Sequence, residues 1–496
     1  MNCYIRNMFS AREQANAFRA DDTHATAVFG GRSSSWIWAI VVVGAVLRLI
    51  ALGYKSFWID EIASVAIARR ASMTFWHFLW HDEGNMAAYY VLLRPWLHLG
   101  YGEGTVRLLS VVPGIAAIPL AYQLTCKLFD DRVATTAALF LSFNACAIYV
   151  SQEARAYSFV VFFVVLSTYL FVLLIERPSY GAALAYALVA AGSCYLHYFC
   201  VLVPAAHYVS LVGVGRARRW WKFLLFAATA VAICSAPILW LMHTQDTGHI
   251  SWVQPTSWLE AYHLGAYLSA ASGKAVGGVL LALNLVLLAL FFNRWRCSWA
   301  DVESRWRYSL AASLVLTPIV ITVAASMLRP AFYHRFLIVC LPGWILMTAI
   351  GVQAIPMRRW RTVAIVGICG LSLASTIILY YRVTEDWRGA VNYIIVHAQP
   401  DDRLLYYQSV GEFAGENYRD WLPGGSGLRP SSLAVNADDS WKQQIDDTRQ
   451  IWLVLYRAKV GNSEVERIQQ QLEQREFVLK SVNSYRGVTV IGFARP

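Results

Sequence analysis

The residues best suited to chemistry are two adjacent carboxylates, Asp60 and Glu61, in the run Ser56-Phe57-Trp58-Ile59-Asp60-Glu61. They lie just past the first long apolar stretch, Trp36 to Tyr54. Residues that only anchor a helix at a bilayer edge are usually Trp, Tyr, Lys or Arg. Carboxylates there can accept a proton or hold a cation. Four more polar clusters are expected at the same membrane face. They are His81-Asp82-Glu83-Gly84-Asn85, the segment Tyr149 to Tyr157 with Glu153 and Arg155, Tyr195-Leu196-His197-Tyr198, and Arg329 to Arg335 with Tyr333 and His334. Any one of them reads equally well as a solvated loop. Gathered on one side, they suggest group transfer from an anionic donor held in the membrane. A carboxylate can deprotonate an acceptor hydroxyl. Arg155 and Arg335 can grip a phosphate leaving group bidentately. A second acidic cluster can bind a divalent cation that offsets charge on that phosphate. Bland readings stand beside these: Glu153 paired with Arg155, Arg335 on a lipid headgroup, and His207 as a hydrogen-bonded residue inside the bundle.

The elements that must position these residues are membrane helices. The chain is 57% hydrophobic and 15% charged, against about 25% charged in soluble proteins. Apolar stretches long enough to cross a bilayer of about 30 Å recur along the first four-fifths. Spans are expected near 36–54, 104–128, 133–150, 157–176, 180–197, 198–214, 221–242, 275–293, 307–327, 332–353 and 361–381. With residues 1–35 as a cytoplasmic tail, the short inside loops carry 14 Lys and Arg, and the longer outside segments carry 8. Basic residues favour cytoplasmic loops, so this orientation puts the Asp60 loop, 55–103, outside. The run Met86 to Gly100 is interrupted by Arg94-Pro95 and is expected to lie along the surface with Ile62–Arg70 and Phe75–Trp80. The scattered charge forms no basic stripe, which argues against nucleic-acid binding. The nine cysteines stand singly, with no zinc or disulfide spacing.

From Arg382 the pattern changes. The segment 382–496 carries 14 basic and 15 acidic residues and reads as a small extracytoplasmic α/β domain. A helix is expected over Asp386–Ala398, strands over Arg403–Tyr407 and Gln450–Tyr456, and a helix opened by a capping box at Ser463-Glu464-Val465-Glu466. Phe477–Val482 and Val488–Phe493 read as a final strand pair. No Gly-rich nucleotide fingerprint is present, so no nucleotide cofactor is expected.

The ordered motifs resemble a known family. They are Ser-Phe-Trp-Ile-Asp60-Glu61, Gly84-Asn85 before Tyr89-Tyr90-Val91-Leu92-Leu93-Arg94, Arg107-Leu-Leu-Ser with Pro113, Tyr149-x-Ser-Gln-Glu-Ala-Arg-Ala-Tyr157, Tyr195-x-His197-Tyr198, Arg335-Phe-Leu before Leu341-Pro342, and Glu385-Asp386-Trp387-Arg388-Gly389. The chain is similar to the GT-C superfamily of polytopic glycosyltransferases, in the bacterial branch that includes protein O-mannosyltransferase-like enzymes and the lipid A aminoarabinose transferase. The resemblance implies about 11 transmembrane helices, and a sugar moved from a polyprenyl-phosphate donor to a cell-envelope acceptor with inversion. Carried over, Asp60 is the general base with Glu61 in support. Arg155 and Arg335 contact the donor phosphate, and Glu153, Tyr157, His197 and Tyr333 line the donor site. Glu83, with Asp82, is the candidate for a divalent metal ion. One departure stands out: many bacterial relatives have Asn-Pro-Pro where this chain has Asn85-Met86-Ala87, which frees that turn's backbone. The implied location is the plasma (inner) membrane. The alternative reading is a transporter or flippase of lipid-linked sugars. It is disfavoured because no Asp or Glu falls deep within an expected span.

Overall fold

The computed structural model describes residues 34–212, 217–245, 253, 255–271, 275–422, 431–435, 440–445, 448–458 and 462–496. The expected N-terminal tail falls almost wholly outside the described residues. Helix α1 (Ser34–Leu49) leads into three short helices, α2 (Ile59–Arg69), α3 (Ser72–His81) and α4 (Ala87–Trp96). The bundle continues with α5 (Glu103–Leu128), α6 (Asp131–Phe143), α7 (Ala145–Ser151), α8 (Tyr157–Glu176), α9 (Tyr180–Cys194) and α10 (Leu202–Val209). It closes with α11 (Ala217–Thr244), α12 (Trp258–Ala270), α13 (Ala275–Cys297), α14 (Val302–Ser326), α15 (Leu341–Gln353) and α16 (Arg358–Tyr381). Among the described residues, seven helical stretches are long and apolar enough to cross a membrane, or eight if the bent pair α6–α7 is one span. Apolar helices at α1, α9 and α10 are shorter. Each expected span therefore has a helix at its place. Helix α4 has only ten residues and buries Tyr89, Tyr90 and Leu93, too short to cross.

The expected span 133–150 is not one rod. Helices α6 and α7 meet at 54°, because the Asn144 side chain accepts from the Ala147 amide at 2.8 Å and restarts the helix. The break frees two carbonyls at a depth where an unmet one costs several kcal/mol. Buried Arg48 of α1 supplies the donors, to Leu141 O at 3.0 Å and Ser142 O at 3.3 Å. Gln152, just past α7, donates back to Arg48 O and Ile50 O at 3.1 and 2.7 Å. The break thereby aims the segment Gln152–Tyr157 at the end of the bundle where α2 lies. The expected span from 332 begins late, with a 3-10 turn at Phe336–Cys340 before α15. Helix α12, unforeseen in the sequence, packs between these parts and buries Leu264 to Ala270.

The C-terminal part comprises α17 (Trp387–His397), β1 (Arg403–Tyr407), α18 (Ser409–Trp421), β2 (Ser431–Val435), β3 (Gln450–Tyr456), α19 (Ser463–Glu473), β4 (Val478–Tyr485) and β5 (Val488–Ala494). The sheet order is β2-β1-β3-β5-β4, with β2, β1 and β3 parallel and β5 antiparallel to both neighbours. Side chains alternate across the sheet. Leu405, Ile451, Leu453 and Leu455 face Val465, Ile468 and Leu472 of α19. Leu404, Tyr406, Trp452 and Val454 join α17, α18 and the core of the membrane bundle. Strands β1 and β3 match expectation to the residue. The cap of α19 is Asn462, not Ser463: its side chain accepts from the Glu464 amide at 2.9 Å. Asn sits there as readily as Ser. Helix α18 and strand β2 have no counterpart in the sequence reading.

Candidate active site

Asp60 and Glu61 occupy the first turn of α2, where carboxylates complement the helix dipole. Their surroundings differ sharply. Glu61 is buried and fully engaged. It accepts from Arg107 Nε at 2.8 Å, Arg107 Nη2 at 2.7 Å, the Ala154 amide at 2.8 Å and the Trp58 amide at 3.4 Å. Arg107 of α5 also donates to Leu52 O, Lys55 O and Ser56 O. This pair ties the turn before α2 to the bundle. Asp60 is half-buried, and among the described residues no hydrogen bond reaches its carboxylate. Its charge faces Arg155, Tyr90, Tyr333, Tyr456 and Arg457.

Around Asp60, buried donors lack partners. They are Trp58 Nε1, Arg155 Nε, His197 Nε2 and Arg335 Nε. An unmet buried donor costs about 1–3 kcal/mol, so their convergence marks a place built for an acceptor-rich ligand. Arg155 Nη1 reaches Asp60 O at 3.4 Å and Ser64 Oγ at 3.3 Å. Burial opposes its charge, but Tyr90, Asp60, Tyr157 and Glu83 prevail and raise its pKa. Arg335 pairs with Glu153 Oε2 at 2.6 Å and lies over the rings of Trp58 and Tyr157 at 4.8 and 5.1 Å. Burial pushes the Glu153 carboxyl up, against the pull of Arg335 and a hydrogen bond from Tyr149. His197 takes the Phe199 amide on Nδ1 at 3.2 Å. A neutral ring then carries its proton on Nε2, and that nitrogen is the unpartnered one. Tyr157 stacks near His197 at 5.9 Å between ring centres. Tyr333 is half-buried against His334 and Phe336.

The structure brings together Asp60, Glu61, Glu153, Arg155, Tyr157, His197, Tyr333 and Arg335. It treats the acidic pair after α3 differently. Glu83 is half-buried and faces Arg155, whereas Asp82 is exposed where α3 ends. Neither belongs to a metal-competent group among the described residues. That group is Glu260, His263 and His334, whose ligand atoms all lie within 4.8 Å of one another. Glu260 and His263 are one turn apart on α12, and His334 comes from the turn before Arg335. Glu260 Oε1 lies 3.2 Å from His263 Nδ1, and Glu260 Oε2 lies 3.8 Å from His334 Nδ1. Glu260 Oε2 and His334 Nδ1 are buried without hydrogen bonds. Two imidazoles and a carboxylate suit a zinc-like divalent ion, so the residues present fit one. The available sequence signal was Glu260-x-x-His263, passed over because α12 was not foreseen.

The path of the backbone is similar to that of ArnT from Cupriavidus metallidurans bound to undecaprenyl phosphate, over 92% of this chain and 98% of that one, with 12% identity and a TM-score of 0.63. At this identity the likeness is one of fold. The fold is also similar to that of the Archaeoglobus fulgidus oligosaccharyltransferase in complex with zinc and sulfate. That match covers 92% of this chain and 73% of that one, with 11% identity and a TM-score of 0.54. A family model described as dolichyl-phosphate-mannose-protein mannosyltransferase matches residues 84–240. This stretch holds Gly84, Arg107, Glu153, Arg155, Tyr157 and His197. No curated protein sequence matches.

Proposed function

We propose that this protein is an integral-membrane glycosyltransferase that moves a sugar from a polyprenyl-phosphate donor to a cell-envelope acceptor on the extracytoplasmic face. The observation that carries the reading is the set of unpartnered buried donors on Trp58, Arg155, His197 and Arg335 beside the open carboxylate of Asp60. A phosphate offers the oxygens those donors lack, and Asp60 is placed to take a proton.

In this mechanism the acceptor hydroxyl gives its proton to Asp60. Its oxygen bonds to the anomeric carbon as the bond from that carbon to the phosphate oxygen breaks. The electron pair leaves with the polyprenyl phosphate, whose charge is stabilised by Arg155, Arg335 and the His197 N–H. Attack opposite the leaving group inverts the anomeric centre. Glu61 does no proton transfer, because its oxygens are occupied by Arg107 and two backbone amides; it holds the turn that carries Asp60. Glu153 keeps Arg335 in place. Glu260, His263 and His334 would hold a divalent ion, which would supply positive charge toward the phosphate. The undecaprenyl phosphate bound to the ArnT neighbour and the zinc and sulfate of the archaeal neighbour agree with this reading.

The test compares membranes holding the wild type with membranes holding Asp60→Asn, each given radiolabelled polyprenyl-phosphate sugars and an envelope lipid and glycan extract. Transfer by the wild type and its near-total loss in Asp60→Asn is the expected result. Equal transfer by both removes Asp60 as the base. Movement of intact donor across sealed vesicles without transfer would favour a flippase.

A further inference from the structure

We infer that Glu385, in the C-terminal part of the chain, is a positioning residue for Asp60, so that the sheet-bearing part completes the catalytic centre and is not an appendage. The inference rests on the proposed role of Asp60.

The Glu385 side chain is wholly buried and accepts four hydrogen bonds. Trp387 Nε1 at 3.1 Å, Tyr456 OH at 2.9 Å and Arg457 Nη2 at 2.7 Å come from its own part. The fourth comes from the amide of Ile59 at 2.9 Å, 326 residues away in sequence. Ile59 is the first residue of α2, directly before Asp60. Helix N-termini leave backbone amides unmet, and the usual donor-satisfying cap is absent here: Trp58 offers no side-chain acceptor. Glu385 supplies it from a distance.

The grip extends along the approach to Asp60. Arg388 donates to Gly53 O at 3.3 Å and Tyr54 O at 2.6 Å. Arg107, from the membrane side, takes Lys55 O and Ser56 O. The Phe57 amide reaches Tyr418 OH at 3.2 Å, and Tyr418 in turn bonds Glu103. The backbone from Gly53 to Ile59 is thus held alternately from the bundle and from the C-terminal part. Arg457 adds a sign that this junction matters: it sits in the left-handed region at φ 51°, a conformation costly for a side chain its size and found mostly where position is imposed. Its guanidinium is more than half exposed and faces Asp60. Burial opposes its charge, yet Tyr456, Glu385 and Asp60 together raise its pKa.

The test compares the full-length wild type with three variants: Glu385→Ala, Asp60→Asn and the double variant. Glu385→Ala should lower kcat about 10- to 100-fold, the loss that follows from misplacing a catalytic group by about 1 Å, with donor KM within about twofold. In the Asp60→Asn background the same change should have no further effect, since Glu385 acts through Asp60. A loss that multiplies in the double variant overturns the inference and makes Glu385 a stability residue. Hydrogen exchange provides a readout free of activity. In Glu385→Ala, the peptide covering Phe57–Ser64 should exchange at least tenfold faster while α5 stays protected. Unchanged exchange there overturns the inference even if no donor turns over, and failure of the wild type to transfer sugar refutes only the proposed reaction.

Discussion

Replacing Glu61 by Gln separates a structural carboxylate from a chemical one. The amide keeps the shape of the side chain but loses its charge and half of its acceptors. The two Glu61 oxygens face two donors each: Arg107 Nε and the Ala154 amide on Oε1, Arg107 Nη2 and the Trp58 amide on Oε2. Whichever way the Gln side chain is turned, its NH2 meets two donors. Arg107, 2% exposed, is left as a buried cation with three carbonyls and no hydrogen-bonded counter-ion, only the more distant charge of Glu103. Breaking a buried pair this way costs about 3–5 kcal/mol, or roughly a 10²- to 10⁴-fold shift in the unfolding equilibrium. The assay is a denaturant titration in mixed micelles followed by tryptophan fluorescence. Glu61→Gln should unfold at clearly lower denaturant than the wild type, while Asp60→Asn unfolds close to the wild-type midpoint. If Glu61→Gln unfolds like the wild type but transfers no sugar, the carboxylate belongs to the chemistry and the structural assignment is wrong.

Arg335→Lys should raise donor KM at least tenfold, because an ammonium cannot keep Glu153 and span a phosphate with a planar fork; initial rates against donor concentration decide it. Replacing His197 by Gln, which retains an N–H donor, should keep most of the donor affinity that His197→Phe loses, as read by equilibrium binding of a polyprenyl phosphate. Purified protein dialysed against zinc should retain about one ion per chain by elemental analysis, and His334→Ala should retain none; equal retention removes the Glu260–His263–His334 group as a metal site. Arg48→Met should lower the unfolding midpoint strongly, since Leu141 O and Ser142 O then have no donor in an apolar setting.

The sequence exposed the membrane helices because their apolar runs are long, and it exposed β1 and β3 because their short continuous apolar runs match a sheet covered on both faces. The break at Asn144 stayed hidden inside a run that is apolar on both sides, although Asn is a common cap. Helix α18 went unseen because Ser409–Trp421 mixes glycines, acids and aromatics with no long apolar stripe, and it folds by packing Tyr418 on the turn before α2. At the site, motif spacing singled out Asp60, Arg155 and Arg335, and the resemblance made Asp60 the base with Glu61 in support. Spacing alone does not tell Asp60 from Glu61, since that difference lies in which neighbours each carboxylate meets. The partner that does so, Arg107, is 46 residues from Glu61. The tie from Glu385 to Ile59 spans most of the chain and has no local pattern.

Arg48 also bears on how the protein is made. Helix α1 carries a cation two of whose acceptors, Leu141 O and Ser142 O, lie more than 90 residues downstream. Arg48 is the last residue but one of α1, and an arginine near a helix end extends its charge toward the interface. Helix α1 is therefore seated only provisionally while α2 to α5 are synthesised, with Arg48 drawn toward the nearest water or headgroup. Its final depth is set when α6 and α7 emerge and the break between them turns two carbonyls toward it. Insertion of α1 and folding of the third membrane segment, α6–α7, become a single late event, and truncated chains ending before Asn144 should present α1 to membrane quality control as a misfit.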